Sequence, residues 1–194
     1  MPRINEVFWS AQGEGLRSGV PAVFVRLAGC GLRCPYCDTR RAWKGGRERT
    51  VADVAAAVEK LLRERPGSQV VLTGGEPLEQ DLGELAAALR RPSRFLAVET
   101  NGLRFQDLPL DWWTVSPKDV SGYRVHPRLW ERAGEFKLLV TPALDLGAVK
   151  RLRRRSAAPI MLQPERFDRG RYHRAFAFFA ECAAAGVPDV RLGL

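Results

Sequence analysis

The chain has 194 residues, 45% hydrophobic and 27% charged, with a formal net charge of +9. That composition excludes a disordered polymer, and the length fits one domain with a full core. No apolar stretch reaches the length of a membrane span, and the first residues, MPRINEVFWSAQGEG, lack an apolar signal core. A cytoplasmic protein with no membrane partner is expected.

Residues 21–28 read as a buried strand that stops just before a cysteine loop. Residues 50–65 read as a helix, with Thr50 as its cap, Asp53 in the first turn, and Val51, Val54, Val58, Leu61 and Leu62 as its apolar stripe. Residues 69–73 form the next predicted strand, halted by Gly74 and Gly75. A helix is expected over 78–91, closed by Pro92, then strands over 95–99, 112–116 and 136–140. A basic helix over 146–155, a strand over 159–163, a helix over 171–185 and a last strand over 190–194 complete the chain. Alternating strands and helices imply a parallel sheet with helices outside. A closed eightfold barrel takes about 250 residues. The expectation is therefore an α/β chain forming one domain over 1–194, a truncated, open partial (β/α) barrel.

Three cysteines crowd one loop: Cys30, Cys34 and Cys37, spaced C-x3-C-x2-C, with Cys182 the only other cysteine. Three thiolates can hold three corners of a metal cluster and leave the fourth open to a substrate. A zinc ribbon would need a second ligand pair, and His126 and His173 are isolated. A disulfide framework wants an even set in a small secreted domain. A redox pair at Cys34 and Cys37 would leave Cys30 unexplained. The open iron–sulfur reading is favoured. Further polar and glycine signals fall at 73–77, 99–102, 116–118 and 163–164, each at the C-terminal end of a predicted strand. That rim is where parallel α/β folds bind ligands. Any one of these is an ordinary turn former; four on one rim, with the cysteine loop as a fifth, point to a site. The arginine-rich stretches 150–155 and 166–174 read as solvated helix faces, because no aromatic-interleaved basic platform accompanies them. No nucleic-acid partner is expected.

The cysteine loop, with Tyr36 before its last cysteine, and Thr73-Gly-Gly-Glu-Pro77 together resemble the radical S-adenosylmethionine superfamily. The resemblance narrows with residues 8–15, Pro21 to Arg26, Cys37-Asp38-Thr39, Glu99 to Gly102, Ser116-Pro117-Lys118 and Gln163-Pro164. These are similar to the 7-carboxy-7-deazaguanine synthase family. It implies a lyase that converts 6-carboxy-5,6,7,8-tetrahydropterin to 7-carboxy-7-deazaguanine, releasing ammonia, on the route to queuosine and related deazapurines. By this resemblance Cys30, Cys34 and Cys37 hold a 4Fe–4S cluster. Tyr36, Asp38, Gly75, Glu76, Ser116, Pro117, Lys118 and Gln163 meet S-adenosylmethionine. Ala11, Gln12, Gly13, Glu14, Arg26 and Thr73 meet the substrate, with residues 8–20 as a flap. Thr39 is the protein ligand to Mg²⁺, a cation suited to oxygen donors. The family further implies a homodimer and a one-electron donor such as flavodoxin or ferredoxin. Arg26, a planar donor, suits the substrate carboxylate; the alternative for it is a salt bridge across the barrel interior. For Thr39 the alternative is a turn cap. The sequence departs from the family in ending at Leu194, without a Gln-Thr-His-Lys-type tail. Two other functions fit parts of the pattern: an activase that places a radical on a partner enzyme's glycine, and a non-enzymatic metal-binding module that contacts nucleic acid.

Overall fold

The computed structural model describes residues 1–90, 94–165 and 168–193. The elements run β1 (Arg3–Ala11), β2 (Pro21–Leu27), β3 (Arg47–Glu48), α1 (Val51–Glu64), β4 (Gln69–Gly74), α2 (Gly83–Leu89) and β5 (Leu96–Thr100). Then come β6 (Trp112–Val115), α3 (Leu129–Arg132), β7 (Glu135–Val140), α4 (Leu146–Arg153), β8 (Ile160–Pro164), α5 (Arg169–Ala184) and β9 (Val190–Leu192). Among the described residues the strands form one sheet in the order β3-β1-β2-β4-β5-β6-β7-β8-β9. β1 runs antiparallel to β2 and β3. From β2 to β9 all pairs are parallel. The edge strands β3 and β9 do not pair with each other, so the barrel is open, as expected.

Side-chain alternation divides the sheet into two faces. On β7, Phe136, Leu138 and Val140 join the core beneath the helices, with Val54 and Val58 of α1, Leu85 and Leu89 of α2, and Val149 and Leu152 of α4. Lys137 and Leu139 face the other way, into the cavity of the open barrel. Burying Cys182 in the same core gives it the packing role its place on an apolar helix suggests.

Local chemistry explains most boundaries. The Thr50 hydroxyl accepts from the Asp53 N–H at 3.1 Å and starts α1 as read from the sequence. The helix expected over 78–91 is instead a 3₁₀ turn at Pro77–Glu79 and a shorter α2. Gln106, from the loop after β5, accepts from the Leu82 N–H at 3.0 Å and donates to the Gln80 carbonyl at 2.5 Å, while Asp81 takes the Gly83 N–H. These side chains hold the backbone out of helical geometry. Residues 91–93, 166–167 and 194 lie outside the described residues, so the expected stop at Pro92, the basic residue Arg166 and the last position of the final strand do too. The sequence reading did not anticipate β1. It includes residues 8–11, the first part of the expected flap, and the turn 12–20 follows, closed by Gln12 N–H to Val20 O and Gly19 N–H to Gln12 O, both 2.8 Å. α5 starts two residues early because Asp168 accepts from the Arg171 N–H. β5 and β6 are joined by residues 101–111 without a helix, which is one way the chain economises on length. Among the described residues no helix is long and apolar enough to cross a membrane.

Candidate active site

The cysteine loop leaves β2 at Leu27 and rests on the turn after β4. Gly75 N–H donates to Leu27 O at 3.0 Å and Glu76 N–H to Gly29 O at 2.7 Å. A Cβ on Gly75 would collide with the Gly29 carbonyl, and one on Gly74, at φ +138°, with the Leu27 backbone. The Gly74–Gly75 pair is therefore the seat of the loop. Glu79 pins the loop from outside, its two carboxylate oxygens each 3.0 Å from the Gly31 N–H. On the far side the Tyr36 hydroxyl donates to Asp119, whose other oxygen accepts from Thr141 at 3.2 Å. Burial and the neighbouring Asp119 carboxylate push the Tyr36 hydroxyl well above its ordinary pKa.

The three loop cysteines are free thiols and line one wall of a cavity of about 420 Å³ at the C-terminal ends of the strands. Burial pushes the Cys30 and Cys34 thiols up, and Lys118 pulls Cys34 back. Among the described residues no three His, Cys, Asp or Glu side chains are set to share one metal ion.

Glu76 lies behind the loop, 1% exposed. Its carboxylate accepts from the Leu78 N–H at 3.0 Å, the Thr100 hydroxyl at 2.7 Å and the Asn101 N–H at 2.6 Å. It thus ties β4 to β5, and burial raises its pKa to about 7. Lys118 donates to Ser116 Oγ at 2.6 Å, and Ser116 donates to Lys137 O at 2.8 Å. Burial and the nearby Lys137 ammonium hold Lys118 below its ordinary pKa.

The opposite wall is charged. Glu99, from the end of β5, accepts from Gln12 Nε2 at 2.9 Å and the Thr73 hydroxyl at 2.8 Å. Lys137 Nζ lies 2.5 Å from Glu14 and 3.9 Å from Glu99. Burial alone would raise Glu99, but Lys137, with the hydrogen bonds from Thr73 and Gln12, outweighs it and holds this carboxyl below the usual range. Burial works against the Lys137 ammonium, and Glu99 and Glu14 more than restore it, so its pKa lies above the ordinary value. Arg26 gives its Nε–H to Glu6 at 2.7 Å and lies 5.2 Å from the centre of the Phe8 ring. This salt bridge is to the paired residue on the adjacent strand, not across the barrel interior as the alternative had it; the Nη fork takes no part in it, and Arg26 lines the cavity. The Thr39 hydroxyl donates to Asp38 at 2.8 Å. It does not cap the 3₁₀ turn that follows, so the capping alternative for Thr39 fails.

Of the eighteen residues assigned from the sequence, all but Pro117 and Gln163 line this cavity. Gln163 is 1% exposed, and its amide nitrogen and oxygen both lack a partner among the described residues. The sequence reading assigned no role to Lys137, Glu99, Thr100, Asn101 or Glu165, which also line it. Lys137 had a signal: a lone cation inside the apolar strand Phe136-Lys-Leu-Leu-Val140.

A sequence profile of the Radical SAM superfamily matches residues 24–138. A 7-carboxy-7-deazaguanine synthase of Methanospirillum hungatei is 46% identical over 112 residues, covering 56% of this chain and 46% of that protein. One from Bacteroides thetaiotaomicron is 42% identical over 118 residues, 61% of this chain and 62% of its own length. The chain thus spans about half to three-fifths of the length of these relatives. The Escherichia coli enzyme of the same name is 38% identical over 170 residues, 77% of this chain and 76% of that one. The crystal structure of QueE from Escherichia coli superposes with a TM-score of 0.77 at 30% identity, over 99% of this chain and 92% of that one. The cysteine loop, the open parallel barrel and these likenesses agree: the chain belongs to the radical SAM superfamily and, within it, to the family of the 7-carboxy-7-deazaguanine synthases.

Proposed function

We propose that this protein converts 6-carboxy-5,6,7,8-tetrahydropterin to 7-carboxy-7-deazaguanine with release of ammonia. The observation that carries the reading is one cavity with a thiol wall facing a wall of paired charges. A small, flat, polar molecule with a carboxylate suits that second wall. The superfamily's 4Fe–4S cluster and S-adenosylmethionine supply a one-electron cleavage that yields a carbon radical. Cys30, Cys34 and Cys37 would hold the cluster. Tyr36, Asp38, Gly75, Ser116 and Lys118 border the space beside it and would orient S-adenosylmethionine. Glu76 would act behind Gly75, since its oxygens already serve β4 and β5; Pro117 and Gln163 would act from the barrel wall.

Arg26 would hold the substrate carboxylate with its Nη fork, a charge-assisted bidentate contact. Gln12, Gly13, Glu14 and Ala11 from the turn after β1, with Thr73, would read the pterin edge. Glu99 stays ionised beside Lys137, so it can accept from ring N–H groups, while Lys137 offers a proton donor. Thr39, with an exposed Asp38 beside it, would give Mg²⁺ one protein oxygen, the rest coming from substrate and water. The stretch 33–49 holds six Lys and Arg against two Asp and Glu and suits an acidic one-electron donor such as flavodoxin or ferredoxin. A single domain over 1–194, working as a homodimer in the cytoplasm, completes the proposal.

Anaerobic turnover of the reconstituted protein with the pterin, S-adenosylmethionine, Mg²⁺ and a chemical reductant is the test. Formation of 7-carboxy-7-deazaguanine supports the proposal. Cluster-dependent cleavage of S-adenosylmethionine without any pterin turnover would sink it.

A further inference from the structure

The turn 12–20 is anchored at its far end by a contact that the proposed chemistry does not use. Glu135 begins β7 and is 1% exposed. One carboxylate oxygen accepts from the Leu16 N–H at 2.6 Å, the other from the Thr114 hydroxyl at 2.7 Å. The fit is tight: Gly15 sits at φ +75°, and a Cβ there would run into both carboxylate oxygens. Next to it Arg17 donates to Gln69 at 2.5 Å and lies 3.7 Å from the centre of the Phe95 ring. Glu135 and Lys137 are two apart on one strand and share its inner face. They hold residues 16 and 14 of the turn, which are also two apart. The turn therefore crosses the inside of the open barrel, from β4 and β5 to β7, and its Gln12 and Glu14 reach the cavity from that crosspiece.

We propose that Glu135 is a positioning residue for the substrate. Its carboxylate fixes Gly15 and Leu16 and so sets where Gln12 and Glu14 present their side chains. This rests on the reading that those two residues meet the pterin. Without this clamp the turn keeps its backbone closure and the contacts of Gln12, Glu14 and Arg17, but Gly15 and Leu16 between them lose their anchor, and ordering that stretch would be charged against substrate binding. The cysteine wall has its own supports, so S-adenosylmethionine binding is independent of this clamp.

The experiment uses the reconstituted holoprotein with Glu135→Ala, Glu135→Gln and Gly15→Ala. Glu135→Ala should raise the pterin KM about ten- to hundredfold, the loss expected when a buried N–H loses its acceptor, with kcat changed far less. Cluster content and affinity for S-adenosylmethionine should match the parent. Glu135→Gln keeps an acceptor for Leu16, can donate to Thr114, and should recover most of the loss. Gly15→Ala should reproduce the KM effect from the other side of the contact, with Glu135 in place. Hydrogen exchange over residues 12–20 without substrate should speed up in Glu135→Ala and return towards the parent in Glu135→Gln. An unchanged KM with unchanged exchange, or an equal loss of S-adenosylmethionine affinity, overturns the proposal. If the parent itself does not turn over the pterin, the functional reading fails, and the exchange data still decide whether Glu135 holds the turn.

Discussion

The two walls of the cavity are built in different ways. The thiol wall comes from eight consecutive residues and is held mainly through backbone: Gly75 and Glu76 N–H groups on Leu27 and Gly29 carbonyls, with no room for a Cβ at Gly74 or Gly75. The charged wall comes from β2, β4, β5, β7 and the turn after β1, and it is held by side chains on side chains. Backbone contacts depend on glycine and little else, whereas a side-chain network depends on every member. Substitutions should therefore act locally on the first wall and spread through the second.

The largest effect should break the thiol wall alone. On the proposed assignment, Cys30→Ala, Cys34→Ala or Cys37→Ala would each remove a cluster corner and should abolish both cluster absorbance and cleavage of S-adenosylmethionine. Cys182→Ala, in the core, should leave both intact. Loss of the cluster in Cys182→Ala would show that the wall has been misassigned. On the charged wall, Arg26→Ala should weaken pterin binding by about 2–5 kcal/mol and spare S-adenosylmethionine. Calorimetry with the intact substrate and a descarboxy analogue checks this; an equal loss for both removes Arg26 from the carboxylate.

The carboxylates behind each wall should have opposite pH signatures. Glu76 has a folded pKa of about 7, above its ordinary 4.5. The folded state holds its proton where the unfolded chain has lost it. Its effect is absent below the ordinary value, and stability falls by about 3 kcal/mol as pH rises to about 7. Glu99 has a depressed pKa, so its contribution is present above the unfolded value and lost as pH falls through the folded one. Denaturant unfolding of the cluster-free protein across pH 4 to 8 should show the first slope disappear in Glu76→Gln. A slope that persists would mean that another group carries it. Lys137→Met leaves Glu99 with burial opposed only by Arg26 and its hydrogen bonds, and should move the acid limb of the activity profile to higher pH.

Smaller effects sharpen the contrast. Gly75→Ala should cost about 1–3 kcal/mol by overpacking, lower the melting temperature and loosen the cluster, with pterin affinity intact in molecules that keep it. Thr39→Val removes one oxygen and keeps the shape. It should raise the Mg²⁺ needed for half activity and leave the cluster spectrum alone. An unaltered magnesium dependence would place the ion elsewhere.

The same contrast decides what the sequence discloses. Cys30 to Cys37 and Thr73 to Pro77 are contiguous, so their spacing is visible before folding, and the parallel strands follow from apolar runs ended by glycine. β1 is obscured because its register slips between Ile4 and Glu6, which breaks the alternation by which a strand is known. The charged wall is composed of single residues that only the barrel brings together. Gln12 and Glu99 are 87 positions apart, and no spacing rule links them. Glu135 is plainer still: nothing near it in sequence marks it as the partner of Gly15.

The Tyr36–Asp119 hydrogen bond joins residues 83 positions apart. On the ribosome, at about 5–20 residues per second, the cysteines are made roughly 4–17 seconds before Asp119 exists. During that interval the loop has neither its tether nor its Gly74–Gly75 seat in full, and its thiols are open to air, stray copper and one another. On the proposed cluster assignment, maturation becomes a matter of timing: iron and sulfur delivered after the chain reaches β7 would meet a shaped receptacle, and delivered earlier they would meet an unfolded tripod of thiols.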